Sequence, residues 1–472
     1  MYKFRKLGFT PKLIEAGSYF GGTWHWNRYP GARVDSEFPT YQLSMPECYK
    51  TWDFSERFPD HHELREYFKH VDKTLSLSKD CYFNTIVTEC RYENDRWNLQ
   101  LHNGGSASCK YLMLCTGSSY KKHYPDFKDM DEYRGQLVHS AIFPEGGLDL
   151  KGKSVALVGN GATGVQILQE IAKEECEVTA YIRTPNIALP MVQRRLTLAE
   201  QHSYKSFYDM VFESAKQTRS GFPVNTVSQG FWDVSEEERL KHWEDIWQRG
   251  GFAFLLSNYR DFLTDKKANK LLYEFWAEKT RQRIKSPVKR DIVCPIEQPH
   301  YFGTKRPCLE QDYYESLDRN NVTLIDLKKN PISHFTETGI VTEGLSGVRN
   351  YDIVILATGY DSLTGSLMDL NMYDKNGKKL QDKWDEGIYT YLGLMIDGMP
   401  NAFMVYSPQA PTSLSNGPPI IEIQVDWAAD AVKKMRDEGI VYIDPVWEES
   451  NKWRQGIQDM NDMTLFPFTD SW

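Results

Sequence analysis

The sequence predicts an α/β fold in which one nucleotide-binding domain is interrupted by a second, and the second carries a helical insertion. Three observations predict it. A glycine-rich turn joins an apolar strand to an apolar-faced helix in "KSVALVGNGATGVQILQEIA", residues 153 to 172. Two more apolar strands end in Thr-Gly on either side of it, "YLMLCTGSS" (111 to 119) and "YDIVILATGYD" (351 to 361). Between them, residues 195 to about 285 are charged, with Trp and Phe interspersed, as in "FWDVSEEERLKHWEDIWQRGGFAFLL".

Bulk properties bound the function. A chain of 472 residues is long for one domain and predicts two or three. It is 40% hydrophobic and 26% charged, a globular composition. No apolar run approaches the roughly 18 residues of a membrane span. The net charge of −9 argues against a general nucleic-acid binder. Eight scattered cysteines without a C-x-x-C pair read as reduced thiols, not a disulfide or zinc framework, and predict a cytoplasmic protein. The opening "MYKFRKLGFTPK" has no apolar core of a signal peptide.

Along the chain, "GGTWHWNRYPGARVD" (21 to 35) has the period of neither helix nor strand. It puts aromatics and charges on irregular backbone, beside glycines that allow close approach to a ligand. Strand 154 to 158 then leads into Gly159, Gly161 and Gly164, spaced G-x-G-x-x-G. A helix follows, with Val165, Ile167, Leu168 and Ile171 apolar, and then a second strand, "CEVTAYI". This β-α-β context makes the glycines a dinucleotide signature: a tight turn lets backbone N–H groups meet a pyrophosphate at the helix N-terminus. The candidate contacts are Asn160, Gly161, Ala162, Thr163, Gly164, Val165 and Gln166. At the end of the second strand an acidic residue would select NADH. Here "YIRTPN" places Arg183 and Thr184, which suit the 2′-phosphate of NADPH.

Taken together, "GGTWHWNRYPGARVD", "GNGATGVQ", "YIRTPN", "GTKRPCLEQDYYE" and "ILATGYD" resemble the flavin-dependent Baeyer–Villiger monooxygenases, in order and over essentially the whole chain. The resemblance implies FAD and NADPH as cofactors and insertion of one oxygen atom from O2 beside a ketone carbonyl. It implies two dinucleotide-binding, Rossmann-like domains, the NADP domain inserted in the FAD domain. The predicted division opens the FAD domain at 1–145, places the NADP domain with the helical insertion at 146–345, and returns to the FAD domain at 346–472. The family fingerprint F-x-G-x-x-x-H-x-x-x-W-P is matched by Tyr133, Gly135, His139, Phe143 and Pro144. Phe143 in place of Trp is closer to the related N- and S-oxygenating enzymes, which stay open as an alternative. His139 reads equally as a catalytic or a hinge residue.

The resemblance also implies roles. Glu15, after strand "PKLIEA", would accept hydrogen bonds from the FAD ribose, and Thr23, Trp24, His25, Trp26, Asp35 and Tyr41 would contact FAD. Core packing is the competing reading for Trp24 and Trp26. Arg306 would be the catalytic cation, held by Asp35; without the resemblance, Lys305 and Arg306 read as a solvated surface pair. Lys305 would meet the 2′-phosphate, Arg33 and Val34 the nicotinamide half, and Trp472 would approach NADP. In "VYSPQAPTSLSNG" (405 to 417), Ser and Asn either bond the flavin ring or cap the next helix. The start at "MYKFRKLG" lacks the family's first strand and its G-x-G-x-x-G, about 20–25 residues, and the end at "TLFPFTDSW" is short of the family's pattern. This predicts a chain truncated at both ends that binds FAD weakly, with an NADP-binding remnant as the non-catalytic alternative.

Overall fold

The computed structural model describes residues 1–470. Its central element is a five-stranded, all-parallel sheet: β1 (Gln136–His139), β2 (Ser154–Val158), β3 (Glu177–Ile182), β4 (Val322–Asp326) and β5 (Ile353–Leu356), in the order β4-β3-β2-β5-β1. Val155 to Val158 and all of β5 are buried, which is why these strands read as unbroken apolar runs. Helix α1 (Ala162–Ile171) follows β2 and packs Val165, Ile167, Leu168 and Ile171 into the main core. The turn between them needs its glycines. Gly159 has φ +113°, and a Cβ there would lie 2.3 Å from the Ala357 carbonyl oxygen. A Cβ on Gly164 would lie 2.2 Å from the Gly159 carbonyl oxygen.

The segments before and after this sheet pair with each other. Leu112–Leu114 runs parallel to Ala402–Met404. Met372–Tyr373 joins the antiparallel strands Val87–Glu93, Arg96–Leu101 and Ser106–Cys109. Leu13–Ile14 pairs with Cys81–Tyr82. One unit is therefore interrupted by another.

The expected boundaries lie at 145/146 and 345/346. They leave β1 and β5 outside the inserted domain, yet β5 lies between β2 and β1 and bonds to both. The two Thr-Gly strands thus lie in different sheets.

The insertion is helical: Leu198–Tyr204, Tyr208–Lys216, Glu236–Arg249, Ala253–Leu256 and Lys266–Arg281, followed by Pro287–Val293. Ser235 and Glu238 form a reciprocal capping box at one start, and Asp265 caps another. Trp276 anchors the insertion to the central core, donating from Nε1 to the Ala188 carbonyl at 2.8 Å. Among the described residues no helix is long and apolar enough to cross a membrane.

Gln166 on α1 ties the irregular 21–35 segment to the sheet. Its Oε1 accepts from Tyr29 Oη at 2.9 Å, and its Nε2 donates to the Arg33 carbonyl at 3.0 Å. Gly31 makes the contact close, since a Cβ there would lie 2.6 Å from the Gln166 carbonyl oxygen. Gln166→Ala leaves two buried groups unpaired and should lower stability by about 1–3 kcal/mol, read as a fall in the thermal midpoint; an unchanged midpoint contradicts the tie.

Candidate active site

Three distant parts of the chain meet at Arg306. Its Nε and Nη2 each donate to a different oxygen of Asp35 at 2.8 Å, a paired carboxylate–guanidinium contact. Its Nη1 donates to the Ser413 and Ser415 carbonyls at 2.8 and 3.1 Å. The Phe252 ring lies 4.8 Å from the guanidinium carbon. Burial works against the Arg306 charge, but the Asp35 charge and hydrogen bonds outweigh it and raise its pKa above the ordinary arginine value. A guanidinium has five N–H donors; four are committed, and one on Nη2 remains. The Arg306 side chain is 18% exposed, so this is not a solvated surface pair. It lines a narrow recess whose other walls are Phe222, Phe252, Leu255, Leu256 and Leu414.

Asp35 extends from the 21–35 segment. Trp24 in the short helix Thr23–Trp26 is buried and donates from Nε1 to Tyr41 Oη at 3.0 Å, edge to face with its ring. Burial raises the Tyr41 pKa, and its phenol lies within the charge field of Asp35 and Arg306. His25 is also buried, its pKa lowered by burial and then by Arg28, while Thr23 and Trp26 are exposed. Glu15 follows the strand Leu13–Ile14. Its carboxylate accepts from Gly17 N at 2.7 Å, and burial raises its pKa. Arg33 turns away from α1: its Nη1 donates to Glu56 and to the Phe58 carbonyl, both at 3.0 Å. Val34 is packed in a satellite core.

At the head of α1, Gly161 occupies the N-cap without a side-chain cap, leaving the first N–H groups of the helix for a ligand. Asn160 Oδ1 accepts from Tyr313 Oη at 2.7 Å, while its buried Nδ2 has no partner. Gly161 and Ala162 are exposed and Thr163 half-buried, whereas Gly164, Val165 and Gln166 face the protein. Arg183 and Thr184 follow β3 at the edge of the same opening. Lys305 has its pKa lowered by burial and then by the Arg183 charge. Trp472 lies outside the described residues.

Two open readings now narrow. His139 ends β1, 1% exposed; its Nδ1 accepts from Ala141 N at 3.1 Å, and its Nε2 faces the His123 carbonyl at 3.3 Å. Burial lowers its pKa. Both ring nitrogens thus face backbone groups at the end of β1. Phe143 lies in the main core. In the 405–417 loop the Ser413 and Ser415 contributions to Arg306 are backbone carbonyls. The Asn416 side chain does not cap the following helix; its Nδ2 donates to the Thr40 and Gly221 carbonyls at 2.9 and 3.3 Å. Phe222, Phe252 and the paired serine carbonyls were missed by sequence reasoning. The apolar run after Gly250-Gly251 was the only signal for Phe252.

The profile of the family described as "FMO-like: Flavin-binding monooxygenase-like" matches residues 7–242. Cyclopentanone 1,2-monooxygenase of Comamonas sp. is 38% identical over 474 residues, covering 100% of this chain and 86% of that protein. A Baeyer–Villiger monooxygenase of Pseudooceanicola batsensis is 34% identical, covering 100% of this chain and 87% of its own. The chain belongs to the flavin-binding monooxygenase family, Baeyer–Villiger type. Among solved structures, OTEMO in complex with FAD and NADP superposes with TM-score 0.95 at 33% identity, over 100% of this chain and 89% of that one. These matches run along the whole of this chain.

Asp35→Ala would strand the Arg306 charge in a mostly dry place. It should lower stability by about 1–3 kcal/mol, and Asp35→Asn less. Equal thermal midpoints for Asp35→Ala and wild type would contradict the pairing.

Proposed function

We propose that the protein is an FAD- and NADPH-dependent monooxygenase that inserts one oxygen atom from O2 beside a ketone carbonyl, giving an ester or lactone. Family members of this type act on cyclopentanone and acetone by name, and the neighbouring structures hold FAD and NADP. The residues present fit both cofactors. The uncapped head of α1, the glycine cradle and the unpartnered Asn160 amide suit a pyrophosphate. Lys305 and Arg183, two cations close enough for one charge to act on the other, suit a 2′-phosphate. The Glu15 carboxylate at a strand end suits a ribose hydroxyl of FAD, with Trp24, His25 and Tyr41 along the same path. Eight scattered thiols support a cytoplasmic location.

One observation carries the reading: a guanidinium fixed by Asp35 and two carbonyls keeps one free N–H on the wall of an apolar recess. Bound FAD, reduced by NADPH, supplies the activation of O2. Arg306 holds a cation where negative charge builds on the ketone oxygen during attack on its carbonyl. Held in advance, it need not reorganise as that charge forms. Asp35 sets the plane and angle of the guanidinium. Phe222, Phe252, Leu255, Leu256 and Leu414 exclude water and so strengthen the field of that cation.

Arg306→Ala should lower turnover of a cyclic ketone by about 100- to 1000-fold while NADPH affinity stays within a few-fold. Ester formation under 18O2, followed by product mass, reads this; retained oxygenation rejects the role. Arg183→Ala should weaken NADPH by about tenfold and leave NADH nearly unchanged in binding titrations; equal losses reject the phosphate contact.

A further inference from the structure

The carbonyl of Ser415 and the N–H of Asn416 belong to one peptide unit, which is planar and trans, so the two groups point in opposite directions. Each has a partner. The Ser415 carbonyl accepts from Arg306 Nη1 at 3.1 Å, and Asn416 N donates to the Ser220 carbonyl at 2.7 Å. One rigid plane therefore lies between the guanidinium and the helical insertion. Hydrogen bonds at the two ends of an amide polarise each other, so the carbonyl that faces Arg306 is a stronger acceptor with Ser220 in place. Asn416 has no exposed surface. Its Nδ2 donates to the Thr40 carbonyl at 2.9 Å and to the Gly221 carbonyl at 3.3 Å, and its buried Oδ1 has no partner. The amide is thus held by its donors alone, one bond to the opening segment and one to the insertion. Gly221 lies against Asn416 with φ +72°, and a Cβ there would sit 3.1 Å from the Asn416 carbonyl oxygen. Phe222 follows and walls the recess beside Arg306. Further along the helix Gly417–Asp437, Glu422 accepts from Ser44 N at 2.8 Å and pairs with Lys216 at 2.8 Å, which ties the same segments a second time.

We propose that Asn416 is a positioning residue for oxygen insertion: it locks the Ser415–Asn416 peptide between the insertion and Arg306, and so sets the direction of the free Arg306 N–H relative to the apolar walls. The inference rests on the reading of Arg306 as the cation of the reaction. Asn416 acts on that cation through the Ser415 carbonyl. Without its side-chain bonds the peptide turns about its flanking dihedrals. The guanidinium keeps its charge and its pairing with Asp35, but its remaining N–H no longer stands at one angle. A misplacement of about 1 Å costs about 100-fold in a step that depends on orientation. The loss falls on oxygen insertion and not on NADPH binding, whose candidate contacts lie on α1 and after β3.

The full chain loaded with FAD tests this, with ester formed from a cyclic ketone scored against NADPH consumed. Asn416→Ala keeps the main-chain N–H and loses both side-chain bonds. It should lower ester per NADPH by about 10- to 100-fold, the electrons of the remaining NADPH reducing O2 to H2O2, while NADPH affinity stays within a few-fold. The ratio does not depend on how much of a sample is folded. Gly221→Ala presses on Asn416 from the insertion side and should lower the same ratio. In the Arg306→Ala background, Asn416→Ala should change the ratio by less than about twofold, because the carbonyl it positions has lost its donor. In denaturant unfolding, the Asn416→Ala, Arg306→Ala double variant should lose less stability than the two single losses summed. An unchanged ratio in Asn416→Ala, equal fold losses with and without Arg306, or additive stability losses overturn the inference. If Arg306→Ala alone still lowers ester formation under that outcome, the reading of Arg306 stands without it. A wild-type ratio in Arg306→Ala overturns both.

Discussion

The ion pair between Asp35 and Arg306 spans 271 residues of sequence and is the constraint on which the rest of the site depends. Asp35 comes from the opening segment of the interrupted unit, Arg306 from the inserted unit, and the Ser413 and Ser415 carbonyls from the returning segment. A guanidinium taken mostly out of water is tolerable only when its donors are met. Each of the three segments bears on that site. The cation is therefore in place only when the whole chain has folded, and the recess around it is made by the same convergence.

Polar ties set the relative position of these segments. Arg57 joins Glu37 and reaches the Val192 and Arg249 carbonyls, so one side chain touches both the approach to the helical insertion and the end of one of its helices. Lys216 pairs with Glu422 at 2.8 Å, and Glu422 also accepts from Ser44 N, joining the insertion to the returning and opening segments. Gln166 does the same between the central sheet and the 21–35 segment. Hydrogen bonds are directional and short-ranged, so these contacts define position more sharply than apolar packing does. Such precision matters for the role proposed for Arg306, a charge that would face a reacting oxygen.

Local features were legible in the sequence for a simple reason: their cause lies within a few residues. The turn at Gly159 to Gly164 needs glycine because backbone passes within van der Waals distance of backbone. The capping residue Ser235 and the apolar face of α1 are equally local. The Asp35–Arg306 pairing was legible only through the resemblance, since a Lys-Arg dipeptide carries no sign of burial. A strand's apolar run says that it is covered on both faces, but not which sheet it joins. Phe143 misled for a related reason: a position in a motif does not reveal which way its ring points.

The sequence by itself determined the glycine cradle, the absence of an acidic residue after β3, the order of the motifs and the helical character of the insertion. All of these follow from short-range sterics and periodicity. Tertiary structure alone decided that β1 and β5 complete the central sheet, that two serine carbonyls hold Arg306, and that His139 is buried with its ring nitrogens facing backbone groups. Those outcomes depend on which backbone groups and charges find partners across hundreds of residues, and pairing at that range is settled only when the chain closes on itself.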